Sequence, residues 1–396
     1  MLYGTRLVGL MSLAAGTLAA LSGCRSSFAR DKIDTAAQSD GQRIFRFETF
    51  GDEKFWTDTA RMNEVVQSSV SPNLALKVGL KVDADAIPPE VAQAIKAGQV
   101  DLNSPATTVT LLKLNAVVGL RGTVQTVGGK DTLVRLGITC ALCHSNVDSA
   151  FAPGIGHRRD GWPNRDLNVG AIIALSPAIT AEQKAVYNSW GPGKYDPRFN
   201  IDGKSNPLVL PPAYGLARVK NETYTAEGPI SYWNAYVAVT QMHGQGNFSD
   251  PRLNIAVTQS PDLVTPKLAA LREYQHSLPA PHPAGGSVDA AAARRGRVLF
   301  NRSCITCHVG VTGTDNNSNN KLHPPSETKT DGGYAMRTAN KAYRTTPLRG
   351  LLQHPPYFHD GSAATLDDVV SHYNKVRNLH LTAEQERDLV AFLKTL

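Results

Sequence analysis

Long apolar runs are almost absent from this chain. Beyond the N-terminus, none of the 396 residues belongs to a stretch long enough to span a bilayer, so the sequence predicts a soluble body. Lysine and arginine do not cluster. The formal net charge of +7 therefore gives no argument for nucleic acid. Internal repeats are missing, and almost nothing reads as sheet. No acidic loop stands out as a calcium cradle. Composition is otherwise ordinary, with 41% hydrophobic and 19% charged residues, and the length suffices for two domains with real cores. Cysteine is scarce as well: there are five.

Those five are placed informatively. Four form two complete C-x-x-C-H runs, Cys140-Ala141-Leu142-Cys143-His144 and Cys304-Ile305-Thr306-Cys307-His308. In such a run two thiols form thioethers with the haem vinyl groups, and the adjacent imidazole lies under the porphyrin, where it can ligate iron. One run could be accidental; two that use every internal cysteine predict two covalently bound haem c groups. The competing readings are a redox dithiol, which needs no following histidine, and half of a zinc site, which needs a second ligand pair. Two haems would add up to four propionates, leaving a mildly basic protein.

The fifth, Cys24, closes a secretion signal. Arg6 supplies a positive start, residues 7–21 form an apolar segment, and Leu21-Ser22-Gly23-Cys24 resembles a bacterial lipobox. The expectation is a signal peptide over 1–23, lipid attachment at Cys24, and a polar tether over 24–45. An ordinary cleaved signal is the alternative. Either one exports the chain, which suits haem attachment outside the bacterial cytoplasm. The predicted location is the periplasmic side of a membrane, with the lipid as the sole membrane contact.

The clearest boundary is residues 278–288, LPAPHPAGGSV, rich in proline and glycine. It separates an N-terminal haem domain over 46–278 from a linker at 279–288 and a C-terminal cytochrome c domain over 289–396. In the latter, an alanine-rich helix over 289–301 leads into Cys304. Thr365-Leu366-Asp367-Asp368 caps a second helix, and Thr382-Ala383-Glu384-Gln385 opens a last one with Leu389, Phe392, Leu393 and Leu396 on one stripe. Residues 311–331 read as a surface loop. Upstream, Pro88-Pro89-Glu90 begins a short helix, residues 107–118 fit helix or strand, and 152–212 read as long ordered loops. The predicted fold class is mainly α: two cytochrome c-like haem domains, the N-terminal one enlarged by long loops.

Residues 343–374, YRTTPLRGLLQHPPYFHDGSAATLDDVVSHYN, carry a family resemblance. The RTTPLR, PYFHDG and TLDDVVSHY runs, following a C-x-x-C-H, resemble the C-terminal signature of bacterial dihaem cytochrome c peroxidases and their MauG-type relatives. The likeness extends over roughly 132–396. It implies proximal ligands His144 and His308, a C-terminal haem that relays electrons, and an N-terminal haem where peroxide is cleaved. It further implies hydrogen peroxide or another small substrate, a small periplasmic donor of cytochrome c or cupredoxin type, and often calcium between the domains. A homodimer is left open.

Two departures from the family pattern bear on the site. Where relatives often carry a methionine ligand in the PYFHDG run, this chain has Phe358, which cannot ligate. Met336 and His359 are the candidate distal ligands of the C-terminal haem, with His354 behind them. Relatives also use a distal Glu beside a Met, after a Trp between the haems. Here Trp233 in YWNAYVAVTQMHG resembles that Trp, and Gln241-Met242 the Glu-Met pair. Gln241 offers a dipole but no titratable proton. Acid–base work then falls to His243, His157 or Asp160. His157 is alternatively a sixth ligand to the first iron. A purely electron-transferring dihaem protein, and a MauG-like or oxygenase-like oxidase of another substrate, stand as rival readings.

Overall fold

The computed structural model describes residues 35–396, so the expected signal peptide and Cys24 lie outside the described residues. The chain enters as a helix, Thr35–Phe47, not as a free tether. Gly41 explains why: a Cβ there would sit 2.0 Å from the carbonyl oxygen of Ala270, so only glycine permits this close crossing with helix Leu268–Ser277. Phe45 packs on Tyr274 with ring centroids 5.6 Å apart, and Gln42 donates to the Tyr274 hydroxyl. The expected tether therefore does not extend past residue 34. Its apolar Ile44 and Phe45 are core residues.

Helices Met62–Ser69, Pro72–Lys77, Pro89–Lys96 and Pro105–Lys113 follow, each of the last three with proline in its first turn, where the missing N–H costs nothing. The ambiguous 107–118 segment thus begins as helix. It then passes into a two-stranded antiparallel sheet, Leu120–Val127 with Lys130–Ile138. This hairpin corrects the expectation of almost no sheet. Gly128 and Gly129, at φ +58° and +80°, supply the left-handed turn that the alternating strands need. Met62, Val66, Leu112, Leu133, Leu136 and Leu142 pack together beneath it. Within 152–212, helices Val169–Ala174 and Ala181–Ser189 interrupt the expected loops, the second opened by a Thr180/Gln183 capping box.

The C-terminal region follows the sequence closely. Helix Ala290–Ser303 crosses the closing helix Ala383–Leu393, with Leu366–Val376 beside them. Phe300 meets Phe392 at 5.1 Å, and Arg295 grips Asp388 with both forks. Residues 311–331 are loop with two helical turns, Asn316–Asn319 and Pro325–Thr328. The architecture is mainly helical, with five short two-stranded pairings among the described residues. No described helix is long and apolar enough to cross a membrane. Residues 279–284 are irregular, but polar ties link the segments on either side of them. Arg337 pairs with Asp196 and Asp202, and the Tyr214 hydroxyl donates to the Gly350 carbonyl.

Candidate haem site

The hairpin delivers its second strand to Ile138, and Thr139 anchors the next residues by donating to the carbonyls of Gly119 and Arg46. Cys140 then caps the turn Ala141–His144. Gly119 must be glycine: at φ +81° its Cβ would lie 2.2 Å from the Leu142 backbone. The second run begins where helix Ala290–Ser303 ends. Both imidazoles are oriented alike. His144 Nδ1 lies 3.1 Å from the Pro211 carbonyl, and His308 Nδ1 lies 3.0 Å from that of Gly313. A carbonyl acceptor fixes Nδ1 as the protonated nitrogen, so Nε2 carries the lone pair a metal requires. Burial pushes the His144 imidazole down to about 4, which keeps it neutral.

The four cysteines are unpaired, and burial pushes the Cys140 and Cys143 thiols up to about 12 and Cys304 to about 11. A redox dithiol requires the opposite, a thiol acidified toward thiolate. A zinc site finds little support either. The one group of three ligand-type side chains close enough to share an ion, among the described residues, is Cys307, Asp315 and His323.

Both runs line a single cavity of 1120 Å³. Its apolar walls include Leu120, Leu136 and Ile138 from the hairpin and Val370, Leu389 and Leu393 from the C-terminal helices. Polar groups also line it. Arg165 and Arg344 are buried there with Nε lacking a hydrogen-bond partner, and both act electrostatically on Tyr224. A guanidinium donor stranded in an apolar wall is suited to a carboxylate that arrives with a ligand. Unpaired thiols, imidazoles presenting Nε2, apolar walls and stranded guanidinium donors together fit haem with its propionates.

The cavity gathers most of the expected residues. Trp233 stands on its wall, stacked on Tyr236 at 5.1 Å. Gln241 ends a π-helical turn, Val237–Gln241, of the kind that often marks functional positions. Its Oε1 accepts from the Tyr195 hydroxyl at 2.8 Å, and its Nε2 donates to Thr240 at 2.9 Å. His243, left-handed at φ +64°, stacks on Phe55 at 3.6 Å, and burial pushes its imidazole down to about 4. His354, Phe358 and His359 also line the wall. His359 stacks on Tyr343 at 4.1 Å, with Nε2 3.0 Å from its hydroxyl.

Three candidates lie elsewhere. Met336 is 59% exposed on a short turn and is no part of the wall, which leaves the histidines as the candidates placed there. The His157 side chain is 62% exposed, held by Asp85 at 2.8 Å, and that partner raises its imidazole above the ordinary value. Asp160 is locked by Arg46, Tyr274 and Ser145 as a structural clamp. Conversely, Tyr195, Arg165 and Glu222 line the cavity without having been singled out in sequence. They come from separate loops, and no local spacing marks them.

Residues 293–396 match the Cytochrome c family. The chain is 32% identical over 135 residues to a methylamine utilization protein MauG from Methylorubrum extorquens, covering 28% of this chain and 36% of that protein. It is 30% identical over 152 residues to the cytochrome-c peroxidase IdrP1 of Denitromonas iodatirespirans, covering 27% and 40%. A cytochrome c551 peroxidase from Nitrosomonas europaea is 35% identical over 106 residues, covering 25% and 32%. The chain therefore matches only about a third of the length of these relatives.

Proposed function

Because the chain belongs to the superfamily of MauG and the dihaem cytochrome c peroxidases, we propose that it is a c-type dihaem oxidoreductase that reduces hydrogen peroxide. The observation that carries this reading is the single cavity shared by both C-x-x-C-H runs, with Trp233, Gln241 and His243 among its lining residues. When bound, haem supplies electron storage and relay at one iron and peroxide cleavage at the other. The reading keeps the division into an N-terminal haem domain, 46–278, and a C-terminal relay domain, 289–396.

The chain's own residues supply the rest. Gln241 is held from both sides, by Tyr195 and Thr240, so its amide presents a fixed dipole without a proton to give. The Tyr195 phenol is raised well above its ordinary value, chiefly by desolvation, so it stays a donor. His243 is the titratable group next in sequence, and burial keeps it neutral near pH 7. It is the base that accepts the proton of an arriving peroxide. Trp233 lines the cavity that both runs share, backed by the buried Tyr236 on which it stacks.

The reading extends to a lipid-anchored protein on the periplasmic side, fed by a small cytochrome c or cupredoxin-type donor. It assigns no calcium ligands. The test uses exported holoprotein: mass measurement for two haems, then peroxide turnover with an artificial donor. The half-reduced form is expected to show a high-spin iron that responds to cyanide. Two low-spin haems indifferent to cyanide, with no turnover, would establish an electron carrier instead. His243→Gln is expected to lower kcat/KM for peroxide by about 10²- to 10⁴-fold at unchanged haem content.

A further inference from the structure

Glu222 is a carboxyl in an unusual position. It lines the shared cavity, yet both of its carboxylate oxygens are shielded from solvent and lack a hydrogen-bond partner. Of the guanidinium groups that act on it, Arg349 and the two terminal nitrogens of Arg344 donate elsewhere, and the Arg344 Nε makes no hydrogen bond to it. Arg344 donates to the backbone carbonyl of Glu222 itself at 2.9 Å and to that of Thr345 at 3.2 Å. Arg349 donates to the carbonyls of Gly215, Ala217 and Val311. A buried carboxyl without a paired cation or donor is costly to ionise, so a positive charge brought close to it decides whether it keeps its proton.

The segment that carries Glu222 is tied to the loop that follows the second C-x-x-C-H run. The neighbouring Asn221 donates to Asn316 at 2.8 Å, in the loop that follows His308. Arg344 is two residues before Thr346, whose backbone faces the His308 ring. A charge change on an iron at His308 is therefore felt across a low-dielectric cavity. We propose that Glu222 takes up a proton when the haem at His308 is reduced. This rests on the dihaem reading given above.

The step balances simply. One electron from the donor cancels one positive charge at the iron. Glu222 then loses the field that favoured its carboxylate and binds one proton from solvent; an O–H bond forms and none breaks. Burial holds its carboxyl up at about 8, opposed by Arg344 and Arg349, which brings the titration near the physiological range. Tyr224, two residues on, is itself raised by burial, with Arg165 and Arg344 opposing and Asp360 adding to the shift.

The test is a spectroelectrochemical titration of the holoprotein from pH 6 to 9. With one proton per electron, each tenfold fall in proton concentration lowers the second haem's potential by about 59 mV. Glu222→Gln is expected to flatten that slope and leave the first haem's potential unchanged. Glu222→Asp should restore it. In reduced-minus-oxidised infrared difference spectra, the wild-type protein is expected to gain a protonated-carboxyl band. The same slope in Glu222→Gln, or no carboxyl band in the wild type, overturns the proposal. The infrared measurement decides even if the variant fails to load haem. A mature chain without two haem masses would instead overturn the dihaem reading, and the proposal with it.

Discussion

Among single residues, Asp52 illustrates how burial decides chemistry. It is fully buried behind the first attachment run, where both carboxylate oxygens lie 3.2–3.3 Å from the Ile138 N–H. Desolvation, reinforced by Glu53 and Glu48, pushes its carboxyl up to about 9 against the pull of that hydrogen bond. The folded state therefore holds a proton that the unfolded chain releases near pH 4. Stability from this group is complete below the unfolded value and is lost as pH rises from there toward 9. The expected slope is up to about 1.4 kcal/mol per pH unit between roughly pH 5 and 8. Asp52→Asn keeps one acceptor for Ile138 and removes the proton, so it should flatten that slope and stabilise the protein at pH 8. Denaturant midpoints measured at several pH values check this; a variant as pH-sensitive as the parent would place the buried proton elsewhere.

At the scale of elements, the crossing of helices Ala290–Ser303 and Ala383–Leu393 depends on Gly296. A Cβ there would sit 1.9 Å from the Asp388 carbonyl oxygen, which is backbone and cannot swing aside. Elsewhere in a helix Gly→Ala gains up to about 1 kcal/mol. Here the sign reverses: Gly296→Ala should destabilise by about 1–3 kcal/mol, read as a lowered denaturant midpoint. The closing helix and its neighbour Leu366–Val376 were legible in sequence because the Thr382 and Thr365 capping boxes mark their starts. The Leu120–Val127 strand was not, because most of its side chains face solvent or a half-covered surface, so no apolar alternation betrays it. Its Gly128-Gly129 turn was the signal available. The helix Thr35–Phe47 was hidden for another reason: its mostly polar surface masks the three residues, Gly41, Ile44 and Phe45, that it buries.

For the whole molecule, the cavity explains which site residues the sequence could show. The attachment runs are local patterns and were readable outright. Arg165, Tyr195 and Glu222 meet them only through tertiary folding: Arg165 donates weakly to Pro356, 191 positions away, at 3.4 Å. The same cavity takes in residues of both C-x-x-C-H runs. Each attachment run forms part of one continuous apolar wall, so a cofactor bound at either run is a packing partner for residues drawn from both sides of the 279–288 segment. Replacing Cys304 and Cys307 together with alanine should leave one haem mass on the chain in place of two. It should also speed limited proteolysis of residues before the linker, because the wall they share with the C-terminal helices loses its filling. Replacing Cys140 and Cys143 should do the reverse, loosening residues after it. Protection that changed only within the half carrying the substitution would mean that the two halves are filled independently, and that the shared cavity carries no mechanical load.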